Sequence, residues 1–169
     1  MMTEFPTLLK KLHQIEIDYD DGNGIDFEPY QDFMPLSEAN EWLKHWTGNE
    51  HVDASSLLVF GQDGSGGYVA FWLRHENKDL LDQPIVFLGS EGQTGVVAKD
   101  FNDYLWLFSQ NHGPSECIEL PEHPSNINHD FLTFAEQHSK SHSRSVDEIL
   151  KDAQSAYLDF NTWIESLIR

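Results

Sequence analysis

The chain has a single cysteine among its 169 residues, Cys117, so it cannot form an internal disulfide. No His and Asn motif lies near this cysteine, which argues against a catalytic nucleophile and predicts a small, partly buried side chain. The first residues also lack the continuous apolar run of a secretory signal. We therefore expect a soluble cytoplasmic protein.

Positive charge is also scarce. The chain has 10 Lys and Arg residues against 29 Asp and Glu residues, which gives a formal net charge of −19. Such a surface repels nucleic-acid phosphates and anionic lipid, and no apolar run approaches the roughly 20 residues needed to span a bilayer. Direct binding to nucleic acid or to a membrane is therefore disfavoured, whereas a basic protein partner is favoured.

Apolar residues are plentiful, with eleven Phe, five Trp and a hydrophobic fraction of 39%. This composition is typical of a packed globule rather than of a disordered acidic chain. A chain of this length buries roughly two-thirds of its unfolded surface on folding, which is enough for one domain with a proper core. We expect one domain with appendages.

The centre of the chain contains short apolar runs separated by two glycine-rich stretches. The runs at 57–60 and 68–73 flank GQDGSGG, and those at 84–88 and 96–98 flank GSEGQTG. Parallel strands would need a crossover helix between them, so this spacing predicts an antiparallel meander. Upstream, Ile25 and Phe27 alternate with acids and predict a short edge strand.

GQDGSGG superficially suggests a phosphate-binding loop. It lacks the Lys and Ser/Thr that end a P-loop, and it lies between two strands instead of opening a helix. We interpret it as a hairpin turn whose glycines serve positive-φ conformations and which Asp63 and Gln62 cap through their side chains.

Helical periodicity appears on both sides of this centre. A short helix is predicted over residues 5–15, and a second helix begins with Ser37 as its N-cap and stops at Gly48. Trp42 and Trp46 share one face of the second helix, a spacing that favours core packing over a cofactor site.

After the strands, an apolar helix begins at Phe101, and we expect Gly113 and Pro114 to end it. The segment 116–128 is interpreted as a loop, and a further helix is predicted around 131–138. Ser145 and Glu148 have capping-box spacing, which predicts a final helix that continues to the C-terminus.

Residues 16–32 form the most concentrated negative segment, and within it DYDDGNGIDFEPY has the appearance of a calcium-binding loop. When DGNG is aligned to an EF-hand, the first and twelfth ligand positions fall on Tyr19 and Tyr30, neither of which supplies the required carboxylate. A solvated acidic turn is therefore favoured over a calcium site.

Other metal and catalytic patterns are incomplete. His138 and His142 are four residues apart on a possible helix, but no adjacent Glu or Cys pair completes a zinc motif. Glu91 and Asp100 flank the second turn and strand, yet such carboxylate pairs are expected by chance in so acidic a chain. We therefore predict no cofactor, no metal and no catalytic residues.

The central block resembles the SUKH superfamily, which groups fungal cell-wall regulators of the Smi/Knr type with Syd and with many bacterial immunity proteins. The resemblance rests on the order of five pieces, and an upstream segment at 25–49 resembles the amphipathic piece that precedes the core in bacterial members. The matching pieces are LLVFG, QDGSGG, YVAFWL, PIVFLGSEGQ and VVAKDFNDYLWLF.

This resemblance implies an α+β fold, with a mostly antiparallel sheet of about four to six strands flanked by helices and with additional C-terminal helices. It implies one SUKH-like domain over 1–169, with a core at about 25–113 and a C-terminal helical extension at about 128–169. It also implies a protein that binds proteins rather than one that turns over substrate. The family offers no shared catalytic residues.

Our leading hypothesis is therefore an immunity-type protein whose acidic face binds a basic cognate toxin, such as a nuclease, because the net charge would steer a cationic partner. One alternative is a Smi/Knr-like scaffold or regulator of a cellular partner, and a weaker one is a hydrolase or metal-dependent enzyme. The predicted interface residues are Asp18, Asp20, Asp21, Asp26, Glu28, Asp32, Asp63 and Glu91.

Overall fold

In the computed structural model, which describes residues 3–169, five strands form one antiparallel sheet in the order β1-β2-β3-β4-β5. Each strand therefore pairs with its neighbour in sequence, which confirms the predicted α+β fold with an antiparallel meander. The strands are β1 (Glu28–Pro29), β2 (Leu57–Gln62), β3 (Tyr68–Trp72), β4 (Ile85–Leu88) and β5 (Thr94–Ala98).

Both faces of the sheet are covered, because consecutive side chains along the strands, which point to opposite faces, are both buried. On one face, Phe71 and Phe87 join the first apolar cluster, while their neighbours Trp72 and Val86 join a second cluster on the other face. A register shift between Val59 and Gly61 in β2 marks a bulge that places Phe60 in the first cluster. The continuous apolar runs thus reflect a sheet with helices on both sides.

Seven α-helices lie within residues 3–169. The first cluster receives residues from α1, α3, α4 and α5, and the second receives residues from α2 and α7, while α6 contributes to both. Their bounds are α1 (Thr7–Leu12), α2 (Leu36–Thr47), α3 (Phe101–Ser109), α4 (Pro114–Glu119), α5 (His129–His138), α6 (Val146–Ala156) and α7 (Asp159–Leu167).

The turn over GQDGSGG is a hairpin, as predicted. Asp63 N–H donates to Gly67 O at 2.9 Å, and Gly66 has a φ of +92°, which favours glycine. The Asp63 carboxylate caps the turn, but the same prediction for Gln62 is wrong. The Gln62 side-chain oxygen instead accepts a hydrogen bond from the Tyr30 hydroxyl, which ties β2 to the segment after β1.

The start of α2 differs from the prediction. Ser37 does not cap α2, because Pro35 is already the N-cap and its carbonyl accepts from Glu38 and Ala39, both at 3.0 Å. Gly48, with a φ of +70°, ends α2 as predicted. Trp42 and Trp46 stack with 5.7 Å between ring centroids and border the second cluster.

Gly113 and Pro114 do not end α3; they begin α4. The helix α3 stops at Ser109, and Asn111 turns the chain with a φ of +65°. Pro114 then occupies the first helical position of α4, where its missing N–H costs little, so the predicted loop at 116–128 begins as a helix.

The predicted final helix is two helices, α6 and α7, separated at Tyr157. Its predicted capping box is confirmed, since Glu148 N–H donates to Ser145 Oγ at 3.2 Å. At the break, the Tyr157 hydroxyl pairs with His75 Nε2 at 2.7 Å. The change of direction lets α6 pack along β5 while Phe160 and Trp163 of α7 pack on Trp72.

The C-terminal helices therefore complete the core of the sheet. Ala153 of α6 and Phe160 of α7 are fully buried in the second cluster. Within residues 3–169, none of the helices combines the length and the apolar character needed to cross a membrane.

Candidate functional site: an acidic cluster at the hairpin turns

The β2–β3 and β4–β5 turns lie at the same end of the sheet, because Tyr68 pairs with Leu88 across the two hairpins. Carboxylates from three chain segments converge at this end. We call the set of Asp26, Asp63, Glu116 and Glu119 the turn-end acidic cluster. The helix α4 supplies two of these acids, Glu116 next to Asp26 and Glu119 next to Gly89, which follows β4.

Asp63 is built into the β2–β3 turn. Its side chain is buried, with 2% exposure, and Oδ1 accepts hydrogen bonds from Ser65 N at 3.0 Å, Ser65 Oγ at 3.0 Å and Gly67 N at 2.8 Å. Within the described residues, Oδ2 is buried and has no hydrogen-bond partner. One oxygen of this carboxylate thus stabilises the turn, and the other is left unsatisfied.

Asp26 and Glu116 tie the turn to α4. Asp26 Oδ1 accepts from Gly64 N at 2.9 Å, while Glu116 Oε2 accepts from Asp26 N at 3.1 Å. The other Glu116 oxygen, Oε1, accepts from Gly113 N at 2.9 Å, at the start of α4. A chain of hydrogen bonds therefore runs from the hairpin turn through Asp26 to the helix.

Burial makes ionisation of the two glutamates costly. It raises the pKa of Glu116 to about 7, even though the hydrogen bonds from Asp26 and Gly113 favour the charged form. Burial also raises the pKa of Glu119, and the charges of Asp63, Asp26 and Glu91 raise it further. Glu119 Oε1 is buried without a hydrogen-bond partner among the described residues.

No cation offsets this accumulation of negative charge within residues 3–169. The salt bridges there involve four acids elsewhere, and none includes a member of the turn-end acidic cluster. Because opposite charges within a few ångströms are the usual compensation for buried carboxylates, this site carries a potential that favours a positively charged group.

The structure distributes the eight predicted interface residues over five places. Asp26 and Asp63 belong to the turn-end acidic cluster, and Glu91 lies exposed on the β4–β5 turn, close enough to raise the pKa of Glu119. Asp63 is too buried to present a surface charge. Asp18, Asp20 and Asp21 are exposed in and before the 3₁₀ turn Asp20–Gly22.

The remaining two predicted residues lie elsewhere. Glu28 is exposed in β1, opposite Gln62. Asp32 is exposed beside an apolar groove of about 680 Å³ that includes Leu57 and Leu73, at the opposite end of β2 from the turn. Asp32 is therefore separated from the turn-end acidic cluster.

Sequence reasoning missed Glu116 and Glu119. The available signal was Gly113-Pro114 followed by Glu116, which is the pattern of a helix start with Pro at the first position and Glu at the third. Interpreting Gly113 and Pro114 as a helix stop placed both glutamates in a loop.

The structure also places the cysteine and the two histidines that the sequence analysis weighed as catalytic or metal-binding residues. Burial raises the pKa of the Cys117 thiol, and so does the neighbouring Glu116, so this cysteine is protonated and a poor nucleophile at neutral pH. His138 ends α5 and His142 lies beyond it, so the two histidines do not share a helix. Within residues 3–169, no group of three or more His, Cys, Asp and Glu is arranged to hold a metal ion.

Comparisons of the chain with family models, curated proteins and solved structures return no match. The SUKH resemblance is accordingly a prediction from the sequence motifs.

Proposed function

We propose that this chain is a non-catalytic protein-binding domain of the immunity type, which neutralises a basic bacterial toxin by binding it directly in the cytoplasm. The observation that carries the proposal is the turn-end acidic cluster, whose buried carboxylates have no cationic partner within residues 3–169. A positively charged group on another protein would offset the cost of burying them.

The distribution of the other acids supports this proposal. Glu91 is exposed on the β4–β5 turn and close enough to raise the pKa of Glu119, and Asp20 and Asp21 are exposed in the 3₁₀ turn. Exposed charges around a contact site steer a partner of opposite charge and raise its association rate. The family resemblance supplies the class of partner, a cognate toxin such as a nuclease.

The test is affinity capture from the native cell with the wild-type chain, followed by a functional assay of each captured protein. We expect a basic protein whose expression alone is toxic and whose toxicity is abolished by co-expression of this chain. Its association rate with the purified chain should fall as salt rises. Capture of a non-toxic cellular protein alone would contradict the immunity function and favour a scaffold or regulator.

A further inference from the structure

The helix α1 covers part of the first apolar cluster, in which Leu9 and Leu12 are buried with exposures of 0% and 2%. Within residues 3–169, the segment 3–17 makes no salt bridge and only one hydrogen bond to the rest of the chain. In that bond His13 Nδ1 donates to Tyr30 O at 2.6 Å. Among the described residues, His13 is therefore the only polar attachment of α1.

His13 follows α1 and lies among three aromatic side chains. The residue is 6% exposed, and its imidazole is nearly parallel to the Phe60 ring at 6.1 Å between centroids. The rings of Phe5 and Phe27 are each 5.8 Å away. An imidazolium in these surroundings would lose its hydration, so the packed helix favours the neutral ring.

The neutral ring has one defined tautomer. Because a carbonyl oxygen only accepts, the proton is on His13 Nδ1, and Nε2 is an unprotonated acceptor. Nε2 is buried, and among the described residues it has no hydrogen-bond partner. A second proton on Nε2 would place both a charge and an unsatisfied donor in the apolar cluster, so protonation is costly as long as α1 stays packed.

No charged side chain on the surrounding elements of the described chain offsets this cost. The strand β2 has no titratable residue, and the titratable residues of α1 and of the segments beside it are Glu4, Lys10, Lys11, Asp26, Glu28 and Tyr30. Burial lowers the pKa of His13 from 6.5 to about 4, and only its hydrogen bond to Tyr30 O opposes this shift. None of the six side chains is therefore close enough to stabilise a charged imidazole.

We propose that α1 is a pH-dependent cover, in which protonation of His13 releases the segment 3–15 and exposes the apolar surface of Phe27 and Phe60. A released imidazole is hydrated and binds a proton at its ordinary pKa of 6.5, whereas the packed imidazole resists protonation until about pH 4. The packed state is therefore fully favoured above pH 6.5 and loses this advantage as the pH falls towards 4. This opening does not depend on the proposed immunity function.

Release of α1 would also enlarge the apolar groove beside Asp32. Phe5 and Phe33 border that groove with 4.8 Å between their ring centroids, and Phe5 also packs on His13. The surface under α1 therefore adjoins the groove, and opening joins the two.

Native-state hydrogen exchange of the full chain, followed by NMR, tests this proposal. The amides of Lys10 and His13 donate to Pro6 O and Leu9 O, so they exchange when α1 opens. After correction for the intrinsic effect of pH on exchange, the equilibrium constant for opening should rise roughly 30-fold between pH 7.5 and pH 5, as a pKa lowered from 6.5 to about 4 requires. A rise of less than threefold would overturn the proposal.

The dependence of exchange on urea tests whether the opening is local. At pH 7.5, exchange of the Lys10 and His13 amides should depend only weakly on urea because little surface is exposed, whereas exchange of the Trp72 amide in the sheet should depend strongly. If all three amides exchange with the same free energy and the same urea dependence, α1 opens only on global unfolding and the proposal fails.

Two variants remove the titrating group. His13→Phe keeps an aromatic ring and His13→Asn keeps a donor near the position of Nδ1, and in both the opening constant should change less than threefold between pH 7.5 and pH 5. The matched control is His45→Asn, because His45 Nδ1 also pairs with a backbone oxygen, Glu41 O at 2.8 Å, but is exposed on α2. This control should keep the wild-type response. A wild-type response in both His13 variants, or its loss in His45→Asn, would overturn the proposal.

A titration of the wild-type imidazole by NMR is independent of how well the variants fold. In the ¹⁵N-labelled chain, His13 should be the Nδ1–H tautomer at pH 7.5 and should gain its second proton well below pH 6.5. The Nε2–H tautomer, or half-protonation at pH 6.5, would overturn the proposal.

Discussion

Two regions of this protein bury carboxylates, and they do so in opposite ways. At the start of α3, Asp103 is fully buried and pairs with Arg144 and with Lys99 Nζ at 3.7 Å, while Asp152 joins the same two cations. We call Lys99, Asp103, Arg144 and Asp152 the Asp103 network. In the turn-end acidic cluster, the buried acids have backbone donors but no cation within residues 3–169.

The difference indicates what each region contributes. The Asp103 network joins the residue after β5, the helix α3, the segment before α6 and α6 itself through paired charges, so it anchors α6 to the core. The carboxylates of the turn-end acidic cluster cap the backbone of the β2–β3 turn and the start of α4, yet none of them has a cationic partner within residues 3–169. In the Asp103 network the fold itself supplies the compensating cations, whereas in the turn-end acidic cluster it does not.

The largest effect is expected for Asp103→Asn, which keeps the shape of the side chain and removes its charge. Arg144 would lose its charged hydrogen bond to Asp103, and a hydrogen bond that involves a charged group contributes about 1.5–3 kcal/mol. Urea unfolding should show a loss of this size in the free energy of unfolding. Glu136→Gln, an exposed control on α5, should stay within about 0.5 kcal/mol of the wild type. A loss under about 1 kcal/mol for Asp103→Asn would mean that pairing with cations does not set the Asp103 network apart in its contribution to stability.

Glu116→Gln tests the unpaired region through its dependence on pH. A folded-state pKa raised from 4.5 to about 7 means that the folded protein binds the proton more tightly, so Glu116 increasingly destabilises the fold as pH rises from about 4.5 to about 7. The full penalty is roughly 3 kcal/mol above pH 7. Glutamine carries no such charge, and the loss of one accepting oxygen to its NH2 group adds a cost that does not depend on pH.

Relative to the wild type, Glu116→Gln should therefore gain up to about 3 kcal/mol in unfolding free energy between pH 5 and pH 8. Denaturant titrations of both proteins at several pH values measure this difference. Parallel curves of unfolding free energy against pH for the two proteins would show that Glu116 is already ionised at low pH in the folded state. The two regions would then not differ in the cost of ionising their buried carboxylates.

A smaller effect is expected for Asp152→Asn, in the exposed half of the Asp103 network. The Asp152 side chain is 41% exposed, and its pKa is lowered by hydrogen bonds from Lys99 and Arg144. Solvent screens such a pair, so the loss should be about 1 kcal/mol or less. It should shrink as salt is added, whereas the loss in Asp103→Asn should be nearly independent of salt. Equal losses of unfolding free energy in the two variants would indicate that burial of the carboxylate does not change how much it contributes to stability.

Much of the fold was predictable because local patterns and packing agree. The hairpin at GQDGSGG follows from glycines between apolar runs, and α6 follows from its Ser145 capping box, since both signals involve neighbouring residues. The break at Tyr157 was not predictable in this way. It depends on His75 and Trp72, which are more than 80 residues away in the chain, and the helical period of the sequence continues across it.

The candidate site was predictable only in part. Asp63 was singled out as a turn residue, but its burial was not predicted, and the start of α4 was interpreted as a helix end. Glu116 and Glu119 become important only when α4 brings them against Asp26 and the turns. An excess of acids in the sequence shows that charge is abundant, and only the fold shows which carboxylates lack a cation.

The packing of α6 along β5 also has a consequence during synthesis of the chain. The strand β5 ends at Ala98, but α6 begins only at Val146, about 50 residues later. At translation rates of roughly 5–20 residues per second, a nascent chain presents the uncovered edge of β5 for about 3–10 s before the covering helix is made. Such an edge can pair with another chain, so this interval is when ribosome-bound copies are most exposed to misassembly.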